Sequence, residues 1–333
     1  MKFDDKKYIK LSILEKQKYI KLIKDTFERK LAKELNLTRV SAPILVTKES
    51  GLQDDLTGVE RKVCFDIKKN GKELEVVQSL AKWKRYALKK YGFDVDSGIY
   101  TDMLAIRRDD EMDETHSIYV DQWDWEKVIT KSQRNFVYLK RVVKKIVKAV
   151  YDTNSLLKKH GFDGENVQIN KDVYFVTSQQ LLNMYPNNTA KEREYLITKK
   201  YGTVFIMQIG DTLSNGYPHD RRAPDYDDWK LNGDLFFYHD VLDMALEISS
   251  MGIRVDGKSL KYQLQKADKL DKLEYEFHKE VLKDILPLTI GGGIGQSRLC
   301  MLLLKRAHIG EVQASYWDDE TLEKCKLLGI ELL

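Results

Sequence analysis

The stretch GGGIGQSRLCMLLL, Gly291 to Leu304, decides how the chain is read. Four glycines within five residues lead into an apolar run that reads as a helix. Glycine lets the backbone approach a ligand closely, and a helix start offers N–H groups without intrahelical partners, so the junction suits an anion, phosphate above all. No Gly-Lys-Ser/Thr follows, which excludes a P-loop, and the glycine spacing does not fit a dinucleotide fingerprint. Arg298 falls in the first turn of the expected helix, where a guanidinium neutralises polyphosphate. A tight turn ahead of a packed helix fits the same letters, and the stretch alone leaves both readings open.

Upstream, HDRRAPDYDDW and LNGD gather Asp225, Asp227, Asp228 and Asp234 within ten residues. Carboxylates collected this way hold Mg²⁺ together with substrate phosphates, or a substrate ammonium group. A solvated turn accounts equally well for Asp225 and Asp228. Glu247 and SSMGIR, Ser249 to Arg254, add further ligands, although Asp243 to Ser250 fits helix or strand by periodicity.

AIRRDDEMDETHSIYVDQWDWE, Ala105 to Glu126, reads as two strands around a long acidic loop, with Arg107 ending the first strand. In the second, Gln122 and Asp124 alternate with Asp121, Trp123 and Trp125, so Gln122 and Asp124 share one face and suggest a binding floor. A solvent-exposed strand face is the plainer account. SLAKWK, Ser79 to Lys84, supplies two cations around a tryptophan; if extended, Lys82 and Lys84 share a face at a charged strand end.

The rest of the chain sets bounds. Of 333 residues, 56 are Lys or Arg and 52 Asp or Glu, leaving a net charge of +4, and the 42% hydrophobic share suffices for a sizeable core. The longest apolar stretch, Leu299 to Leu304, is far short of the ~20 residues a membrane helix needs, and MKFDDKKYIK shows no signal-peptide pattern, so the expectation is a cytoplasmic protein without membrane contact. Cys64, Cys300 and Cys325 have no zinc or disulfide spacing, and Cys300 reads as a packed residue.

Apolar positions from Tyr8 to Asn36 recur at helical steps, and RVSAPIL, Arg39 to Leu45, reads as a strand that Pro43 confines to an edge or an interface. Strands are predicted at Glu73 to Leu80, Ser117 to Trp125, Val173 to Thr177, Val204 to Ile209 and Asp234 to Tyr238. A second helix spans Lys131 to Lys159; its nine basic residues against the single Asp152 read as a solvated face rather than a nucleic-acid surface. No break divides the chain, so one α+β domain over residues 1–333, built on a mainly antiparallel sheet, is expected.

A long helix with a Pro-containing strand, a hairpin bearing Arg107, and a glycine-rich strand leading to Arg298 resemble, in that order, the three signature motifs of the class II aminoacyl-tRNA synthetase catalytic domain. More closely, SLAKWKR, YVDQWDWE, RAPDYDDW, LNGD, SSMGIRVD and TIGGGIGQSRL are similar to the ammonia-dependent aspartate–ammonia ligases, from about Ile9 to the C-terminus. The segment from Trp229 to Asn232 is shorter than in some members and is read as a short loop.

The resemblance implies the conversion of L-aspartate, ATP and ammonia into asparagine, AMP and pyrophosphate through a β-aspartyl-adenylate. It puts Arg107 on the α-phosphate and Arg298 on the pyrophosphate end, with Ser117, Ser249, Ser250, Gly293 and Gly295 around the nucleotide. Asp234 and Glu247 would hold Mg²⁺. Asp54 of LQDDLTG would take the substrate α-ammonium, Lys84 and Arg254 its carboxylates, and Ser79, Gln122, Asp124 and Asp227 would complete the aspartate pocket. It also implies a homodimer. Lys2 stands where glutamine-dependent asparagine synthetases carry a cysteine, so free ammonia is the expected nitrogen donor. The competing class, a tRNA synthetase or tRNA-binding paralogue, is disfavoured by the small net charge and the lack of an anticodon-reading domain, so no nucleic acid is expected as partner.

Overall fold

The computed structural model describes residues 2–162, 167 and 169–333. Helix α1 (Ile13–Leu35) starts five residues later than the periodicity suggests. Ser12 and Glu15 form a reciprocal capping box that fixes the first turn, leaving Ile9 outside, and Asn36 ends the helix in the left-handed region at φ 59°. Short strands β1 (Leu37–Arg39) and β2 (Leu45–Val46) follow, then β3 (Cys64–Asp66) and β4 (Glu73–Val76). The strand expected at Arg39 to Leu45 is therefore split: Pro43, unable to donate to a ladder, lies between β1 and β2.

SLAKWK is helical rather than extended, since α2 spans Ala81–Tyr91, with Ser79 Oγ accepting the Ala81 N–H at 3.1 Å. Residues two apart on a helix point in different directions, so Lys82 and Lys84 do not share a face. Strands β5 (Gly98–Ile106) and β6 (Tyr119–Val128) form the expected hairpin, and α3 (Phe136–Lys159) begins at an Asn135 cap after a 3₁₀ turn. Next come β7 (Tyr174–Thr177), α4 (Ser178–Met184), α5 (Ala190–Tyr201) and β8 (Thr203–Met207). The long strands β9 (Asp227–His239) and β10 (Met244–Arg254) precede α6 (Gly257–Lys266), α7 (Glu276–Leu282), β11 (Thr289–Gly295), α8 (Gln296–Leu303) and α9 (Asp319–Leu327). Trp229 to Asn232 is thus continuous β-strand and not a loop, and the ambiguous Asp243 to Ser250 run belongs mostly to β10.

Among the described residues the strands form an eight-stranded sheet, β1-β5-β6-β11-β10-β9-β8-β7, and a three-stranded sheet, β2-β4-β3. The large sheet is antiparallel except at its two ends, where β1 runs parallel to β5 and β7 to β8. Alternation divides its two faces. Trp123, Trp125, Leu235, Phe237 and Ile294 point into a core closed by α1, α3 and α8, and Trp123 packs on Phe27 of α1 with ring centroids 4.8 Å apart. Burying each such side chain contributes about 1.5–3 kcal/mol. The opposite face of the same strands carries Gln122, Asp124, Glu126 and Asp234, a polar floor backed by that core. Cys300 is fully buried in α8, and its thiol is pushed up to about 12 by burial.

Candidate active site

Strand pairing sets the floor. β11 aligns Gly293 with Asp124 and Gly291 with Glu126; β10 aligns Ser250 with Gly293; β9 aligns Asp234 with Ser250. One row, Asp234–Ser250–Gly293–Asp124, therefore crosses four strands on the polar face, although its members are scattered through the sequence. The glycines are required by packing: a Cβ on Gly293 would overlap the Gln122 side chain, and one on Gly291 the Glu126 carboxylate. Above this floor opens a cleft of about 680 Å³.

Two buried ion-pair groups occupy the deep end. Lys84 Nζ donates to Asp124 Oδ1 at 2.9 Å and to the Gly292 carbonyl at 3.1 Å, while Asp124 Oδ2 is buried without a hydrogen-bond partner among the described residues. Burial pulls the Lys84 ammonium below its usual range, against the opposing charge of Asp124. Arg254 grips Glu126 through Nε and Nη2, at 3.0 and 2.7 Å, and Asp227 through Nη1 at 2.5 Å. Burial raises Asp227 above the ordinary carboxylate range even with Arg254 beside it; Glu126, equally buried, is held below that range by Arg254 and Lys84. Arg254 thus already carries two carboxylates, so the substrate carboxylate expected there meets a largely neutralised cation, and Lys84 is the better placed of the two.

Asp54 is 2% exposed and accepts the Leu56 N–H on Oδ1 at 2.8 Å. Burial pushes its carboxyl up, Lys82 pulls it down and Asp225 pushes it up again. Ser79, Gln122, Ser249, Ser250, Gly293 and Gly295 all border the cleft.

The two expected phosphate contacts also face it. Arg107 donates from Nε to the Gln78 carbonyl at 3.2 Å, and Arg298, one turn into α8, donates from Nη1 to the Glu247 carbonyl at 2.9 Å. Half-buried Asp110 feels both guanidinium charges, yet burial still raises its carboxyl. Ser117 Oγ lies 2.6 Å from Gln313 Oε1. Asp234, in the floor row, is ion-paired to Arg222, which borders the cleft and also holds Asp220 at 2.9 Å. Burial pushes the Asp234 carboxyl up to about 7; Arg222 opposes the rise and Glu247 adds to it.

Asp225 and Asp228, read in part as a solvated turn, are buried instead: Asp225 pairs with Lys82 and Lys272, and Asp228 with Arg134. The sequence reading missed Arg222, Glu126 and Gln313. Arg222 stands inside the quoted acidic motif, and Glu126 continues the Gln122, Asp124 alternation by one step.

A sequence profile described as aspartate-ammonia ligase matches residues 14–329. An aspartate–ammonia ligase of Bacillus cytotoxicus is 55% identical over 323 residues, covering 97% of this chain and 98% of the relative, and one of Bacillus cereus matches equally well. The chain belongs to the aspartate–ammonia ligase family. Among solved structures, asparaginyl-tRNA synthetase from Pyrococcus horikoshii, complexed with asparaginyl-adenylate, superposes with a TM-score of 0.65 at 16% identity, over 90% of this chain and 68% of that one. The Entamoeba histolytica asparaginyl-tRNA synthetase gives 0.64 at 14%, over 90% and 66%. At those identities the likeness concerns the fold, which is that of the class II synthetase catalytic domain. Among the described residues no helix is long and apolar enough to cross a membrane.

Proposed function

We propose that this member of the family makes L-asparagine from L-aspartate, ATP and ammonia, releasing AMP and pyrophosphate. The observation that carries the reading is the 55% identity to aspartate–ammonia ligases along nearly the whole chain. In the first step an oxygen of the substrate β-carboxylate bonds to the α-phosphorus of ATP and the bond to pyrophosphate breaks. In the second, ammonia bonds to the activated carbonyl carbon, AMP departs and the nitrogen sheds a proton.

Asp54 takes the substrate α-ammonium, since it is a buried carboxylate facing the cleft with no ion pair of its own among the described residues. Lys84 and Arg254 receive the carboxylates, and Ser79, Gln122, Asp124 and Asp227 complete that pocket. Arg107 orients the α-phosphate and Arg298 the pyrophosphate end, where preorganised cations meet the spreading charge. Ser117, Ser249, Ser250, Gly293 and Gly295 border the nucleotide. Asp234 and Glu247 lie close enough for their charges to interact and would hold Mg²⁺ together with the substrate phosphates. When bound, the ion neutralises phosphate charge.

The working protein on this reading is a single-domain homodimer of the cytoplasm with no nucleic-acid partner. Incubation with aspartate, ATP, Mg²⁺ and ammonium should yield asparagine with or without tRNA. Strict dependence on tRNA, or no asparagine at all, would reject the reading.

A further inference from the structure

Beneath the aspartate end of the cleft lies a buried charge cluster without a role in the chemistry above. Asp225 has no exposed surface, and three donors converge on its Oδ2: Lys82 of α2 at 3.0 Å, Lys272 at 3.1 Å and His278 of α7 at 3.0 Å. Lys272 also reaches Asp55 at 2.7 Å, tying down the residue next to Asp54. Burial raises the Asp225 carboxyl, but Lys82, the His278 hydrogen bond and Lys272 together hold it well below the usual range, so it is a carboxylate.

We propose that Asp225 is a positioning residue for the substrate α-ammonium: by taking Lys82 it keeps Asp54 vacant for aspartate. The inference rests on the assignment of Asp54 given above. Lys82 is the cation that acts most strongly on Asp54, yet its ammonium bonds Asp225. A buried ammonium needs a carboxylate partner, and without Asp225 the Lys82 ammonium turns to Asp54, whose carboxyl already feels its charge. A Lys82–Asp54 pair would fill the place the substrate ammonium must occupy. With Asp225 present, Lys82 instead acts from the side, helping a desolvated Asp54 to ionise. Among the described residues, Arg107 and Tyr226 are further groups whose charges act on or feel Asp54.

The test compares the purified full chain with D54N, D225N, K82M and the double variant D225N/K82M. D225N should raise the aspartate KM on the order of tenfold or more, the scale of one lost charged hydrogen bond, while kcat at saturating aspartate stays within about threefold. In D225N/K82M the competitor is gone but Asp54 lacks its supporting cation, so aspartate KM should return towards wild type at mildly alkaline pH. If D225N does not fold, K82M decides: its aspartate KM should rise more steeply than that of the wild type as pH is lowered. An unchanged aspartate KM in D225N, a double variant no better than D225N at any pH, or a KM in K82M no steeper in pH than that of the wild type overturns the inference. D54N separates the two levels: if it leaves aspartate KM unchanged, the assignment of Asp54 has failed; if it raises KM and D225N does not, only the role of Asp225 has failed.

Discussion

Lys84 and Asp124, 2.9 Å apart and both buried, join helix α2 to the sheet floor at the deep end of the cleft. Removing one partner leaves the other charged and unpaired in a dry site, a loss of about 3–5 kcal/mol. Lys84→Met should therefore lose aspartate-dependent exchange of pyrophosphate into ATP and also unfold at lower denaturant. K84M/D124N should regain much of the stability and none of the exchange. A stable K84M with normal exchange would place Lys84 outside the site.

Arg298 presents a planar fork to the cleft from the first turn of α8, and a lysine there is a point charge of different reach. Arg298→Lys should lower kcat/KM for ATP by about 2–4 kcal/mol, the size of one preorganised transition-state contact. Steady-state kinetics within twofold of wild type would return the glycine-rich stretch to a purely structural role.

How far the site is legible in the sequence depends on how local its cause is. The hairpin follows from alternation within one segment and the first-turn position of Arg298 from the apolar run after the glycines, while the glycine strand comes only from the family resemblance; the structure holds all three. SLAKWK is too short for its period to decide between strand and helix, so the opposite directions of Lys82 and Lys84 were hidden. The partners that bury Asp225 lie far away: Lys82 is 143 positions off, so a run that looks solvated in one dimension becomes the centre of a cage in three. Asp234 illustrates the same limit, since only the folded chain brings Arg222 onto its carboxylate.

His239 at the end of β9 is 1% exposed, and burial lowers its pKa from the usual 6.5 to about 4. Between those values the unfolded chain takes up a proton that the native state refuses, so stability falls as pH drops from about 6.5 towards 4. The expected loss is on the order of 3 kcal/mol. Urea midpoints measured across that range should slope less in His239→Asn, whose Oδ1 can replace Nδ1 as acceptor for the Leu242 N–H. An identical slope would mean that His239 does not set this pH dependence.

Strand β1 is a largely exposed edge of the large sheet, running beside α1. A closed two-fold contact, the commonest oligomer arrangement, would cover that edge. Sedimentation at micromolar concentration should give roughly twice the 38.9 kDa mass of one chain. A species of one-chain mass alone would rule the dimer out.

The most direct test concerns which phosphorus of ATP is attacked. Two arginines, Arg107 and Arg298, face one cleft whose floor ends in the glycine strand, an arrangement suited to a bent triphosphate with an accessible α-phosphorus. Aspartate with ATP and Mg²⁺ should support pyrophosphate exchange before any nitrogen donor is present. Added ammonium should then give asparagine and AMP in equal amounts, without tRNA. Stoichiometric ADP and phosphate in place of AMP and pyrophosphate would contradict the adenylate route.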